Sequence, residues 1–508
     1  MKAPGFVSGR AQWLTGIGLL GVIAATRWPL APAHLFYFDS VNFALALDDF
    51  NPALHQPQPP GYPLFVLLSR LLHIVVAQPH QVFLVAGILG AAAAAWCLWR
   101  LATDMFGPFA GFAAAALFVF SPILWFGGLT NQVRIYSAAV SCLLGWLVWR
   151  AWHLGSHGSL RVAALILGLG AGFRPPVLLF GFPLLAAAWL RGRNPRALLV
   201  CGSLLGAGVL VWLAAVILVV GGPKAYFALL ASYSGEQFGA TSLLFGAKAA
   251  GAWRMARSAF WWNAIGALAW IWILPLVDWG ELRAKLSRFG AFFAVWFVPG
   301  YLFQSFVHVA DPDQTLFTVP VVCLLGGMVL SCLHRARLAA AVLSAAASAA
   351  FFFVPWRGLL KATTYEVVRQ VDRETSRTLA AINRLESAGE VQILSYDSFV
   401  TWRHLSYYFP NLPVLVIEPG RAYRAGLHGG PAASEGGAVL LDPGKRIVVV
   451  PPPPGRGVRK ALIREAAADD VGPVLTIEPR PGLEFRLGNM RFKVAPPPSG
   501  NRSRSTRV

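Results

Sequence analysis

The chain has 508 residues, 56% hydrophobic and 13% charged, with a mean hydropathy of +0.57, which describes a polytopic membrane protein and excludes an ordinary soluble domain. A formal net charge of +20 does not imply a nucleic-acid partner. Basic residues collect in membrane loops, and no run alternates basic with aromatic side chains as a single-strand-binding surface would.

Two cations, Lys2 and Arg10, precede an apolar run from Trp13 to Thr26 that has no small-x-small cleavage site, which predicts an uncleaved first helix. Residues 36–63 follow and carry Asp39, Asp48 and Asp49. This stretch is expected to be a loop on the outer membrane surface. A carboxylate kept beside lipid is costly, so a chemical role for Asp39 is expected, as a base. The plainer role for Asp39 is to cap a juxtamembrane helix. Asp48 and Asp49, ahead of Asn51-Pro52, read as turn residues.

Runs that cross a bilayer, or nearly so, are predicted at 12–29, 80–102, 108–127, 135–153, 161–173, 175–190, 197–221, 258–277, 289–307, 314–333 and 338–355. A shorter run at 62–77 carries Arg70 and His73. If it stays outside as a juxtamembrane or re-entrant helix, the basic loops Arg191/Arg193/Arg196, Arg283/Lys285/Arg288 and Arg335/Arg337 all face the cytoplasm with the N-terminus. If it crosses, all three flip outward, so the first arrangement is preferred. Arg174-Pro175-Pro176 breaks 161–190 into a hairpin and puts Arg174 at its outer end. Cys97, Cys142, Cys201, Cys323 and Cys332 are isolated in apolar segments and read as small buried hydrophobes.

The composition changes at Trp356. An amphipathic helix is predicted at 363–388, strands at 391–395 and 413–417 with a helical stretch at 398–408 between them, and further strands at 439–441 and 446–450. Pro451-Pro-Pro-Pro-Gly reads as a linker or turn. The expected fold class is thus a polytopic α-helical membrane domain (1–355, about 11 crossings plus a juxtamembrane helix, first outer loop 30–79). A small C-terminal α/β extracytoplasmic domain (356–495) and a disordered tail (496–508) follow.

Residues 1–355 hold only nine acidic side chains. The predicted topology leaves Asp104, Asp278 and Glu281 among cytoplasmic cations and turns Asp39, Asp48, Asp49, Glu236, Asp311 and Asp313 outward. That distribution suggests chemistry at the outer leaflet. No Gly-x-x-x-x-Gly-Lys-Ser/Thr loop is present to bind nucleotide phosphates.

The order of one helix, an outer loop with an Asp, a Pro-rich box, many helices and a C-terminal domain resembles the GT-C superfamily of glycosyltransferases, including protein mannosyltransferases and lipid A aminoarabinose transferases. Phe38-Asp39-Ser40-Val41-Asn42-Phe43-Ala44 is similar to the family's Asp-Glu/Ser-x-x-Tyr/Phe pattern, and His55-Gln-Pro-Gln-Pro-Pro60-Gly-Tyr62-Pro to its His-Pro-Pro-Leu-Tyr box. The resemblance implies a polyprenyl-phosphate-linked sugar donor, a glycan, lipid or protein acceptor, and Asp39 as general base with inversion. It also implies a multi-pass protein of the cell inner membrane with a periplasmic C-terminal domain. A leaving phosphate needs cations, for which Arg174 is the best placed, with Arg134 and then Lys224, Arg254 and Arg257 behind it. Asn42, His55 and Tyr62 are further substrate contacts on this reading, although His55 and Tyr62 could simply shape the turn. Arg174 could equally snorkel to lipid headgroups. Several family members bind a metal between acids. Here Ser40 and the carboxylate-free segment Gly127–Tyr136 replace those acids, so metal independence is expected, the alternative being a divalent metal on His55 with Asp48 or Asp49. The rival classes are a transporter or lipid flippase and a non-catalytic envelope-assembly subunit.

Overall fold

The computed structural model describes residues 9–192, 195–239, 242, 246, 249–396, 399–418, 420–426, 430–452, 456–487 and 489–496. Lys2, Arg193, Ser398, Pro453–Gly455 and nearly all of the expected tail lie outside the described residues. The chain divides into two compact units. The first comprises the chain up to Pro32 together with Asn42–Arg369, and the second comprises Ala33–Val41 and the chain from Gln370 onward.

In chain order the helices begin with α1 (Gly9–Arg27), α2 (Phe38–Asp48, whose first residues belong to the second unit), α3 (Pro63–His73), α4 (Pro79–Phe106), α5 (Pro108–Val119) and α6 (Pro122–Thr130). The first unit continues with α7 (Ile135–Leu154), α8 (His157–Gly170), α9 (Pro176–Gly192), α10 (Pro195–Val220) and α11 (Pro223–Phe238). It ends with α12 (Ala249–Leu268), α13 (Trp279–Phe306), α14 (Val319–Ser331) and α15 (Arg337–Phe353). Each of the eleven expected crossing segments overlaps at least one of these helices, and 108–127 covers α5 and most of α6. Among the described residues four segments, Pro79–Phe106, Gln132–Leu154, Pro195–Val220 and Trp279–Phe306, are long and apolar enough to span a membrane, and α5 with α6, bent by 49°, would make a fifth.

Proline sets many boundaries, standing first in α3 to α6, where its missing N–H costs nothing. The bend at Phe120–Ser121 exposes helix-end carbonyls. The buried Arg27 guanidinium donates to the carbonyl of Val119 there and lies 4.8 Å over the Trp125 ring. Close approach fixes α8 against α10. A Cβ at Gly168 would sit 2.4 Å from the Leu205 carbonyl oxygen, and the Trp212 indole donates to the Gly168 oxygen at 3.0 Å.

Three local expectations change. Residues 38–48 form a helix rather than a loop, because the stretch lacks Gly and Pro and buries Val41, Phe43, Ala44, Ala46 and Leu47. Its C-terminal carbonyls are capped by Arg70, whose Nη2 donates to the oxygens of Ala46 (2.9 Å) and Asp48 (3.3 Å). Arg283, Lys285 and Arg288 lie inside α13 rather than in a loop. Asp278 starts this helix early by accepting from the Gly280 and Glu281 amides, and the Glu281–Lys285 pair (2.6 Å) supports the first turns. The 258–277 segment divides, α12 ending at Leu268 and a 3-10 turn following at Ile271–Leu276 around Pro275.

The bundle sorts its charges by end. Asp278 faces His334 at 3.2 Å and its amide donates to the Cys332 oxygen, while Lys285 reaches Ser331. Phe106 packs on Phe289, and Trp146 donates to Asp104. The twenty residues of α7 rise about 30 Å from Arg134 toward that end. Arg134, Arg174, Asp311 and Asp313 therefore sit at the opposite end. Among the described residues, Asp104, Asp278 and Glu281 share one end with Lys285 and His334.

The second unit carries most of α16 (Tyr365–Ala388), then β1 (Val391–Ser395), α17 (Trp402–Tyr408), β2 (Val414–Glu418), β3 (Arg421–Arg424), β4 (Ser434–Glu435), β5 (Ala438–Leu441) and β6 (Arg446–Val450). It closes with α18 (Arg456–Ala466), β7 (Asp469–Val471), β8 (Val474–Ile477), β9 (Glu484–Leu487) and β10 (Met490–Val494). One sheet runs β3-β2-β1-β6-β8-β7, parallel at β2-β1-β6, and a second runs β4-β5-β10-β9. β1 is buried along its whole length, as a central parallel strand between covered faces must be.

Candidate functional site

The Pro-rich box is a rigid turn. Asn51 and Gln56 exchange backbone hydrogen bonds at 2.6 and 3.0 Å, and Asn51 Oδ1 accepts from the Ala53 amide at 3.1 Å. Proline removes backbone freedom from most of what lies between them and Tyr62. His55 and Tyr62 both adopt left-handed backbone, with φ of 52° and 47°. His55 meets Tyr233 edge-on at 5.7 Å, and Tyr62 meets Phe43 at 5.4 Å. Asn42 is fully buried on α2 and donates through Nδ2 to Gln58 Oε1 at 3.3 Å, so its amide braces the turn from below. From α11, the Tyr226 hydroxyl donates to the Pro60 oxygen at 3.2 Å. That helix was not expected, and it supplies both Tyr226 and Tyr233.

The turn is joined to Arg174 through the backbone. The Leu64 amide at the head of α3 donates to the Gly172 oxygen at 3.0 Å, and a Cβ at Gly172 would lie 2.7 Å from Leu64 Cγ and 2.8 Å from Trp212 Cγ. Phe173 stacks on Tyr136 at 4.5 Å with the rings 5° from parallel. Arg174 is half-buried and donates from Nη1 to Ser137 Oγ at 3.2 Å.

Arg134 has a different setting. Its buried guanidinium donates from Nη1 to Asp311 Oδ2 at 2.8 Å and to Asp313 Oδ1. Asp313 is fully buried, its Oδ2 has no hydrogen-bond partner among the described residues, and a Cβ on Gly127 would come within 2.9 Å of its own Cβ. Burial pushes the Asp313 carboxyl up to about 6, against the opposing pull of Arg134. Burial, reinforced by the Arg134 charge, pushes His308 down to about 4, so its imidazole is neutral at pH 7. Two carboxylates thus share the Arg134 guanidinium. Arg174 donates to a neutral hydroxyl, and its charge also acts on Asp313 and His308. The Arg134–Asp311–Asp313 cluster joins positions 177 and 179 apart, and no local sequence pattern signals it.

Asp39 is the second residue of α2, half-buried, with Ser40 buried beside it. That position is inside the first turn rather than at the N-cap, where a carboxylate still complements the helix dipole. Among the described residues no group of three or more His, Cys, Asp or Glu side chains is arranged to hold a metal ion.

Residues 57–221, from the Pro-rich box to the end of α10, match the family model described as dolichyl-phosphate-mannose-protein mannosyltransferase. A search of curated proteins found no match by sequence. Among solved structures the chain is similar to ArnT from Cupriavidus metallidurans bound to undecaprenyl phosphate, with TM-score 0.61 and 12% identity over 94% of this chain and 99% of that one. For ArnT from the same organism in the apo state the values are 0.58, 14%, 92% and 98%. The expected architecture is therefore met at the level of fold: several apolar helices followed by a small C-terminal sheet domain, as in the ArnT structures.

Proposed function

We propose that the chain is a membrane glycosyltransferase that moves a sugar from a polyprenyl-phosphate carrier to a cell-envelope acceptor at the outer face of the inner membrane. The observation that carries this reading is the likeness of fold over nearly the whole of both chains to an enzyme solved with undecaprenyl phosphate. The family match over the Pro-rich box and the Arg174 hairpin adds to it.

In the proposed step an acceptor oxygen attacks the anomeric carbon from the face opposite the carrier. The new C–O bond forms as the bond to the phosphate oxygen breaks, and the configuration inverts. Asp39 takes the acceptor proton, and the leaving phosphate keeps the electron pair. Arg174 offers a fixed fork of donors to that phosphate, so the charge grows against a cation already in place. The rigid turn holding His55 and Tyr62 shapes the sugar pocket, with Asn42 fixing its base. Arg134 is tied to Asp311 and Asp313 and orders the wall behind Arg174.

Proteoliposomes supplied with radiolabelled undecaprenyl-phosphate-linked mannose, glucose or aminoarabinose, and with envelope extract as acceptor, test the reading. Wild type should transfer at least one label. Asp39→Asn should abolish transfer with expression intact, and Arg174→Ala should raise the donor KM. Wild-type transfer by Asp39→Asn would remove the assignment, as would a wild-type protein that turns over none of the donors.

A further inference from the structure

Residues 33–37, just before α2, have no regular hydrogen-bonding pattern of their own, yet their polar backbone groups are met by side chains of the second unit. Asp372 Oδ1 accepts from the Ala33 amide at 2.9 Å and the His34 amide at 3.3 Å. The Leu35 amide donates to the Tyr408 hydroxyl at 3.2 Å, and the Leu35 oxygen accepts from His404 Nε2 at 3.1 Å. The His34 ring is held as well, 3.1 Å from Ser376 Oγ and edge-on to Tyr408 at 5.8 Å. Phe38, one residue before Asp39, meets Trp402 edge-on at 5.5 Å and packs against the core beneath the larger sheet.

The pattern is regular. Asp372 and Ser376 are one turn apart on α16, and His404 and Tyr408 one turn apart on α17, so each helix presents one face to the segment. His404 is also fixed in tautomer. Its Nδ1 accepts from the Thr401 amide at 3.3 Å, which leaves the proton on Nε2 for Leu35. Burial pushes its pKa down to about 4, so the ring stays neutral and the bond persists at working pH.

We infer that Asp372, His404 and Tyr408 are positioning residues for Asp39, clamping the backbone that leads into it. The inference rests on the reading of Asp39 as the base. A general base acts only within hydrogen-bond reach of its proton, and misplacement by about 1 Å can cost 10²-fold in rate. A segment whose Ala33, His34 and Leu35 backbone groups are bonded by these side chains would shift when they are removed.

Tyr408→Phe, which deletes only the oxygen facing the Leu35 amide, should lower kcat about tenfold on whichever donor the wild type turns over, with donor KM unchanged. Asp372→Ala should do the same, and Asp372→Asn, which keeps the accepting oxygen, should restore most of the rate. A general folding defect would instead lower the active fraction for the alanine and asparagine variants alike. A second readout needs no turnover. In an Asp39→Cys background with the native cysteines replaced, the alkylation rate at position 39 should change severalfold on adding Tyr408→Phe or Asp372→Ala. Unchanged alkylation, or wild-type kcat in both clamp variants, overturns the inference. An inactive wild type with altered alkylation would instead count against the transferase reading and leave the clamp standing.

Discussion

Replacing Arg134 by alanine is the sharpest test of the charge cluster. Asp311 is part-exposed and can turn to water, but Asp313 is fully buried and would lose the guanidinium that hydrogen-bonds its Oδ1. Breaking a buried pair from one side costs about 3–5 kcal/mol, whereas removing both partners costs far less. The carboxyl already sits near 6 with Arg134 present, so without it the side chain should take up a proton more readily still. Each unit of pKa shift corresponds to about 1.4 kcal/mol, so the deficit should be about 3–5 kcal/mol at pH 8 and roughly half of that at pH 5. Tryptophan fluorescence followed through SDS titration in mixed micelles can measure this, with Arg134→Ala, Asp313→Ala and the double variant compared at both pH values. A coupling of at least about 1.5 kcal/mol is expected, the double variant being more stable than the sum of its parts allows. Equal losses at pH 5 and pH 8, together with additive single effects, would refute a buried ion pair at this position.

Two further outcomes follow from the same end of the bundle. Gly127→Ala should destabilise by about 1–3 kcal/mol and slow transfer, because its Cβ would press on Asp313 and Leu316 at 2.9 Å. Gly128→Ala, whose Cβ meets nothing nearer than 4.0 Å, should be tolerated, and equal behaviour of the two in thermal unfolding would contradict the packing. His308 is held at about 4 against an ordinary value near 6.5, so its contribution to stability is complete above about 6.5 and drains as pH falls through that window. Asp313, raised to about 6, runs the other way, its contribution being complete below its ordinary value and lost as pH rises toward 6. Relative to His308→Gln, wild type should therefore lose midpoint temperature faster between pH 7 and pH 5; parallel curves would show that the histidine is not the group responsible.

The membrane class, the apolar segments and the hairpin break at Arg174-Pro175-Pro176 are legible in the chain alone, because hydrophobic run length and proline act through neighbouring residues. The sequence also marked β1 and β6 to the residue, since short β-branched runs between turn signals admit few alternatives. It fell short where a distant partner decides the local conformation. Helix α2 depends on buried apolar contacts and on Arg70 capping it from 22 residues away, and α13 starts early because Asp278 caps it. The candidate site shows the same division. Asp39, Arg174 and the Pro-rich box were recognisable as chemistry-bearing residues in local motifs. The pairing of Arg134 with Asp311 and Asp313, and the hold of α16 and α17 on residues 33–38, required the tertiary structure. Charge pairing and backbone capping act over a few ångströms of space, and sequence separations of 177 to 373 residues carry no trace of that proximity.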